Sequence, residues 1–239
     1  MTERSILLLY RLGREAGSLG VVMLVVYGDL LSQPTRAVLL LCKLAGIPHQ
    51  FQLIRIAKGE QKKPDYLAIN PDGRIPAIKD GDFTLSESHA ILTYLCTSRG
   101  IADHWYPKDF AQRAVVDRYL HWHHSNLRHA HHWVWELKWA PLFGLTPRPY
   151  VLEESPMVLK RALNLMEKWL TASPYIAGTE PSIADLSALC ELTQLELIPY
   201  DFSAYPKLQA WYQRLRSLPE TREVHSMLDK SVAKYQPKL

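Results

Sequence analysis

The sequence predicts a small α/β domain of order β-α-β, β-β-α, followed by an all-α domain. Three observations predict this. Strand and helix signals alternate between residues 23 and 100. A segment there is punctuated as a helix at both ends, with Ser32-Gln33-Pro34 before it and Gly46 after it. From Phe110 onward only helical periodicity remains.

Taken in order, Met23–Tyr27 is a short apolar, β-branched run suited to a buried strand. Ala37–Cys42 is the apolar centre of the first helix, and His49–Ile56 reads as the second strand. Lys62–Ile69 carries a weak helical pattern. Ile75–Lys79 and Phe83–Leu85 read as a hairpin closed at Asp80-Gly81, where glycine supplies positive φ at no steric cost. Ser86–Ser98 reads as a helix closed by Gly100. Two parallel strands need a crossover, and the hairpin adds an antiparallel edge. Helical segments then run over residues 110–138, 155–171, 182–197, 206–217 and 220–234, with Pro141, Pro147 and Pro149 between the first two. Ser182-Ile183-Ala184-Asp185 is a capping box with Asp in place of Glu. The implied division is 1–22 as an extension ahead of Met23, 23–100 as the α/β domain, 101–109 as a linker and 110–239 as the helical domain.

Composition narrows the class of function. At about 150 residues per domain, 239 residues make one large domain or two small ones. Hydrophobic residues at 47% and charged residues at 22% are globular usage, which excludes disorder. The net charge of +4 is spread along the chain, so neither nucleic acid nor an anionic membrane is an expected partner. No stretch approaches 18 apolar residues, which excludes a transmembrane helix. Cys42, Cys96 and Cys190 sit in apolar runs without metal spacing and fit a reducing compartment.

Three places carry candidate chemistry. Ser32 follows a strand and opens a helix, where unpaired N–H groups and the dipole favour an anion. Taken alone, its first reading is a plain N-cap. Pro76 opens a strand, and a cis bond there would turn the Ile75 backbone outward. Glu87-Ser88 opens another helix. Its carboxylate suits an ammonium, while Ser88 and the N–H groups suit a carboxylate, so together they fit an amino-acid head group. The simpler reading is a capping pair.

A histidine-rich stretch, His121 to His132, invites a metal reading. On a continuous helix His121, His124, Arg128, His131, His132 and Trp135 share about one face. His121 and His124 could chelate, but His131 and His132 lie about 15 Å further along the axis. No metal is expected; a wall of a substrate pocket or a solvated face is.

The runs Asp29–Val38, Asn70–Ile78, Leu85–Ile91, Ala102–Pro107, Trp122–Arg128 and Pro181–Leu186 resemble, in order, those of theta-class glutathione transferases, nearest to the plant forms. The resemblance implies a thioredoxin-like N-terminal domain, a helical C-terminal domain and a homodimer. It implies conjugation of glutathione, as co-substrate, to small hydrophobic electrophiles, with organic hydroperoxide reduction as a side activity and no further cofactor. Ser32 would then hold the glutathione sulfur. Ile75 before cis Pro76 would pair with the cysteinyl unit, and Glu87 and Ser88 would hold the γ-glutamyl end. Gln61 and Lys62 would serve the glycyl end, and Arg128, His124 and Trp135 the electrophile. The chain departs from the pattern at Gln61, where theta members often carry His, and at Ser125, where some relatives place an acid. A non-catalytic glutathione-binding module and a glutathione-dependent isomerase share the fold. Cytoplasm is the expected location, with Pro237-Lys238-Leu239 as an alternative peroxisomal address.

Overall fold

The computed structural model describes residues 23–235. The N-terminal extension and the Pro237-Lys238-Leu239 tail lie outside the described residues. β1 (Leu24–Gly28), α1 (Gln33–Leu44) and β2 (His49–Leu53) form the first unit. Two 3₁₀ turns, Ile56–Lys58 and Glu60–Lys62, and a short α2 (Pro64–Leu67) lead to β3 (Ala77–Asp80), β4 (Phe83–Ser86) and α3 (Ser88–Ser98). The sheet order is β2-β1-β3-β4, with β1 parallel to β2 and antiparallel to β3, and β3 antiparallel to β4. This is the predicted β-α-β, β-β-α order.

The boundaries differ from the sequence reading for local reasons. β2 stops at Leu53, not Ile56, because its last ladder partner is Gly28 at the end of β1. β3 starts at Ala77, because Pro76 has no N–H to give a ladder. The Ile75–Pro76 bond is cis. The hairpin turns at Gly81-Asp82, with Gly81 at φ +66° and Asp80 still paired with Phe83. The helix expected from Ser86 begins at Ser88, because Ser86 belongs to β4 and Glu87 turns the chain at φ +67°.

The remainder is helical: α4 (Phe110–His123), α5 (His129–Val134), a π-helical turn (Trp135–Trp139), α6 (Ala140–Leu142) and α7 (Pro149–Ala172). These are followed by α8 (Ile183–Leu192), a 3₁₀ turn Thr193–Leu197, α9 (Pro206–Arg216) and α10 (Pro219–Tyr235). The helix expected over 110–138 is therefore broken. The Asn126 side chain donates to the Trp122 carbonyl at 2.9 Å, taking the acceptor that its own backbone N–H would use in a continuous helix. That N–H bonds His123 O instead. Asparagine competes with helix in this way. Pro149 starts α7, where its missing N–H costs nothing, so α7 begins six residues before the expected 155.

One contiguous core joins the sheet and the helices. Val26, Leu40 and Ile78 belong to the same buried cluster as Leu163, Leu189 and Leu208. Arg36 on α1 is fully buried at this junction. It donates to Leu30 O at 2.9 Å, Cys190 O at 3.2 Å and Thr193 Oγ1 at 3.1 Å. A charge is tolerated there because carbonyl and hydroxyl dipoles replace its hydration. The junction leaves a cleft between the sheet's helix-bearing edge and the broken helix.

Candidate active site

Two adjoining cavities of about 320 and 310 Å³ occupy the cleft. They share Gln33, Pro34, Arg74, Ile75 and Arg128 as walls. The first also has Pro76, Glu87, Ser88, His124 and Glu191. The second has Ser32, Gln61, Trp135, Trp139 and Phe143.

Ser32 is the N-cap of α1, at φ −79° and ψ 117°. Its Oγ accepts the Thr35 N–H at 3.4 Å. Capping uses a lone pair and leaves the hydroxyl hydrogen free to donate to an anion in the cavity. The N-cap reading and the functional reading of Ser32 are thus compatible.

Glu87 is the N-cap position of α3, but its side chain makes no capping bond. Among the described residues it forms no ion pair, and it is exposed at the rim. A non-glycine residue at positive φ is uncommon, and such strain is concentrated at functional positions. Beside it, Ser88 is half-buried and Pro76 is buried. The Ile75 segment is fastened from behind. The Tyr66 hydroxyl donates to Arg74 O at 2.5 Å and Asn70 Nδ2 donates to the same carbonyl at 2.8 Å.

Gln61 and Lys62 separate. Gln61 lines the second cavity, and its Oε1 is buried without a hydrogen-bond partner. Lys62 is exposed, lines neither cavity, and donates from Nζ to Asp72 O at 3.1 Å. Gly73 makes this approach feasible: a Cβ there would stand 2.8 Å from Lys62 Nζ.

The helical wall centres on Glu191, a residue the sequence reading did not single out. It is 1% exposed. Its carboxylate accepts Arg128 Nη1 at 3.1 Å, His123 Nε2 at 3.2 Å, the His131 backbone N–H at 3.1 Å and Gln33 Nε2 at 3.4 Å. Burial alone would raise its pKa. The Arg128 charge and the hydrogen bond from His123 outweigh that and hold the carboxyl well below its usual range. The available signal was a lone acid inside the apolar run Leu186–Leu192.

The break at Asn126 redistributes the histidines. His121 is exposed and lines neither cavity. His124 and His132 line the first cavity, and His131 and Trp135 the second. The single helical face expected from 121 to 135 does not exist. Arg128 reaches both cavities, so the expected pocket guanidinium is present, paired on one edge with Glu191. Trp135 stacks on Phe143 with centroids 5.9 Å apart, giving the second cavity an apolar wall. His89, also missed as a site residue, lines the first cavity with His123.

A cleft with a hydroxyl at a helix N-terminus, an outward peptide segment and a free carboxylate can hold a short anionic peptide. The family model described as glutathione S-transferase, N-terminal domain, matches residues 32–98, and the one described as glutathione S-transferase, C-terminal domain, matches residues 127–219. Glutathione S-transferase T2 of Arabidopsis thaliana is 40% identical over 88% of this chain, which spans only 38% of that protein's length. Glutathione S-transferase T1 of the same plant is 39% identical over 88% of this chain and 91% of its own. Among solved structures, human glutathione-S-transferase T1-1 in its apo form aligns with TM-score 0.80 and 36% identity, covering 88% of this chain and 91% of that one. Human glutathione transferase theta-2, solved in complex with glutathione, aligns with TM-score 0.80 and 36% identity over 90% and 92% of the two chains.

Proposed function

The chain belongs to the theta class of the glutathione transferase family, and on that premise we propose that it conjugates reduced glutathione to small electrophiles in the cleft between its sheet and its helices. The observation that carries this reading is the sharing of Ile75 by the two cavities. Ser32 lines one of the two, and Glu87 and Ser88 line the other. A tripeptide crossing Ile75 would set its thiol by Ser32 and its γ-glutamyl head by Glu87. The Glu87 carboxylate has no internal cation and suits the α-ammonium. Ser88 and the first N–H groups of α3 suit the α-carboxylate. Gln61, with a buried unpaired oxygen, needs a donor from the ligand. Lys62 supplies charge near the glycyl end from outside the cavity wall.

The chemistry asked of Ser32 is modest. A free thiol with pKa about 8.5 is only a few per cent thiolate at pH 7. Lowering that by about two units needs roughly 2.7 kcal/mol of preferential thiolate stabilisation. A hydroxyl hydrogen bond to a charged acceptor contributes about 1.5–3 kcal/mol, and the α1 N-terminus adds to it. No general base and no covalent intermediate are required. Positioning of the electrophile against Trp135, with Arg128 for departing negative charge and His124 at the neighbouring wall, supplies the rest. As a side activity the same thiolate would attack the terminal oxygen of an organic hydroperoxide, forming an S–O bond as the O–O bond breaks and the alcohol departs; a second glutathione then converts the sulfenic acid to the disulfide and water.

The division into a glutathione-binding domain over 23–100, a linker over 101–109 and an electrophile-binding domain from 110 is part of this reading, as are a homodimer and a cytoplasmic location. Among the described residues no helix is long and apolar enough to cross a membrane. The test is a panel of an aryl halide, a benzylic sulfate, an isothiocyanate and cumene hydroperoxide, each with and without glutathione. Glutathione-dependent turnover of at least one is expected, and its absence from all four would reject the reading.

A further inference from the structure

We propose that His89, His123 and His124 form a binding site for a borderline divalent metal ion of the zinc type, on the helical side of the first cavity. One ring nitrogen of each lies within 4.8 Å of one ring nitrogen of the other two. The ring centroids are 4.9 Å apart for His89 and His123, 4.9 Å for His89 and His124, and 5.1 Å for His123 and His124.

Protonation follows from the partners. His89 Nδ1 is 3.1 Å from the Leu120 carbonyl, which can only accept. Nδ1 therefore carries the proton and Nε2 the lone pair. Burial, with His123 and His124 beside it, pushes the His89 pKa down to about 3, so the ring is neutral near pH 7. Nε2 accepts the Ser187 hydroxyl at 2.8 Å, a hydrogen bond that a metal would have to displace. His123 repeats the pattern. Its Nε2 faces the ionised Glu191 carboxylate at 3.2 Å and must donate. Nδ1 is then the nitrogen left for a ligand, buried and without a hydrogen-bond partner, in a residue only 4% exposed. A buried unsatisfied ring nitrogen calls for an explanation, and a bound cation is one. The third ligand, His124, is exposed at the end of α4 and free to swing.

The donor set fits the ion. Three imidazole nitrogens suit zinc, copper or nickel. Metal-binding histidines commonly give their other ring N–H to a backbone carbonyl or a carboxylate, which is what Leu120 O and Glu191 supply. Zinc–nitrogen bonds of about 2.0–2.1 Å put tetrahedral ligands roughly 3.4 Å apart. Closing from 4.8 Å needs movement of up to about 1.4 Å per pair, shared among the three side chains. Electrostatics permit a cation. Of the arginines on the first cavity, Arg128 is paired with Glu191 at 3.1 Å and Arg74 with Asp72 at 3.0 Å. Glu87 on the same cavity adds an unpaired negative charge.

The test uses the full chain without an affinity tag and without glutathione, whose thiol would compete for zinc. Zinc chloride is titrated against a chromophoric chelator, and cobalt(II) is added separately to read tetrahedral coordination by visible absorption. One ion per chain is expected, with a tetrahedral cobalt spectrum. His124→Ala, at an exposed position, should weaken binding at least about 10-fold. His121→Ala, on the same helix but outside the cluster, should leave affinity unchanged. Ser187→Ala removes the hydroxyl that competes for His89 Nε2 and should bind at least as tightly as the parent. Less than one ion per chain, equal affinity in His124→Ala and the parent, or loss of binding in His121→Ala would each overturn the proposal.

Discussion

At the mouth of the cleft Ser32 accepts the Thr35 amide and keeps its hydroxyl hydrogen for a ligand. The helix cap and the proposed catalytic role therefore draw on different parts of one side chain. Glu87 is the opposite case. It sits at a helix N-cap position, makes no cap bond, and holds φ at +67°. Its strained backbone and unpaired carboxylate gain nothing from the fold itself, which points to a ligand. Glu87→Gln keeps the shape and removes the charge. Its expected signature is a glutathione KM raised about 10-fold or more with kcat changed little, because binding common to ground state and transition state is lost. Steady-state kinetics with varied glutathione check this. An unchanged KM would reduce Glu87 to a helix-terminal charge.

At the scale of elements, the strands and most helices were legible because punctuation and periodicity agreed. Ser32-Gln33-Pro34 marks α1 and Ser182-Ile183-Ala184-Asp185 marks α8. The capping box is present as expected, and Asp185 does more than cap. It is fully buried and accepts from Ile176 N, Ser182 N, Ser182 Oγ and Trp211 Nε1 at 2.9–3.1 Å. Asp185→Ala would orphan three buried N–H donors, at a cost of about 4 kcal/mol. Urea unfolding should show a midpoint lowered accordingly with an unchanged slope; a midpoint within error of the parent would contradict this. What was not legible is instructive. The break after α4 depends on Asn126 taking a carbonyl from the helix, and an apolar pattern is blind to that competition. Once the helix breaks, the face shared by His121 to Trp135 dissolves. The histidine group that does form takes His89 from α3, a long-range pairing that no spacing along residues 121–132 encodes. Glu191 was invisible as a hub for the same reason, since its partners come from α1, α4, α5 and the turn between the last two. The core of the proposed glutathione site was more legible because Ser32, Ile75, Glu87 and Ser88 all lie at junctions of one small sheet.

Across the whole molecule the sheet and the helices share one core, and neutral histidines are buried in and around it. Burial, with nearby positive or histidine neighbours, pushes the pKa of His89 and His131 down to about 3 and that of His225 to about 2. In the unfolded chain each titrates near 6.5. Between those values the unfolded state binds more protons, so stability is complete above about pH 6.5 and falls as pH falls below it. Each group contributes a limiting slope of about 1.4 kcal/mol per pH unit. The melting temperature should therefore drop between pH 6.5 and 5, before ordinary carboxylates titrate, and a flat profile over that range would contradict the assignment of these rings as neutral. The central claim concerns the cleft those halves enclose, namely that it binds glutathione and ionises it through Ser32. The most direct measurement is the ultraviolet thiolate band of bound glutathione, titrated against pH in the parent protein and in Ser32→Ala. In the parent the midpoint is expected about two units below that of the free thiol, and in the variant it should return most of the way to about 8.5. The same midpoint in both proteins would contradict it.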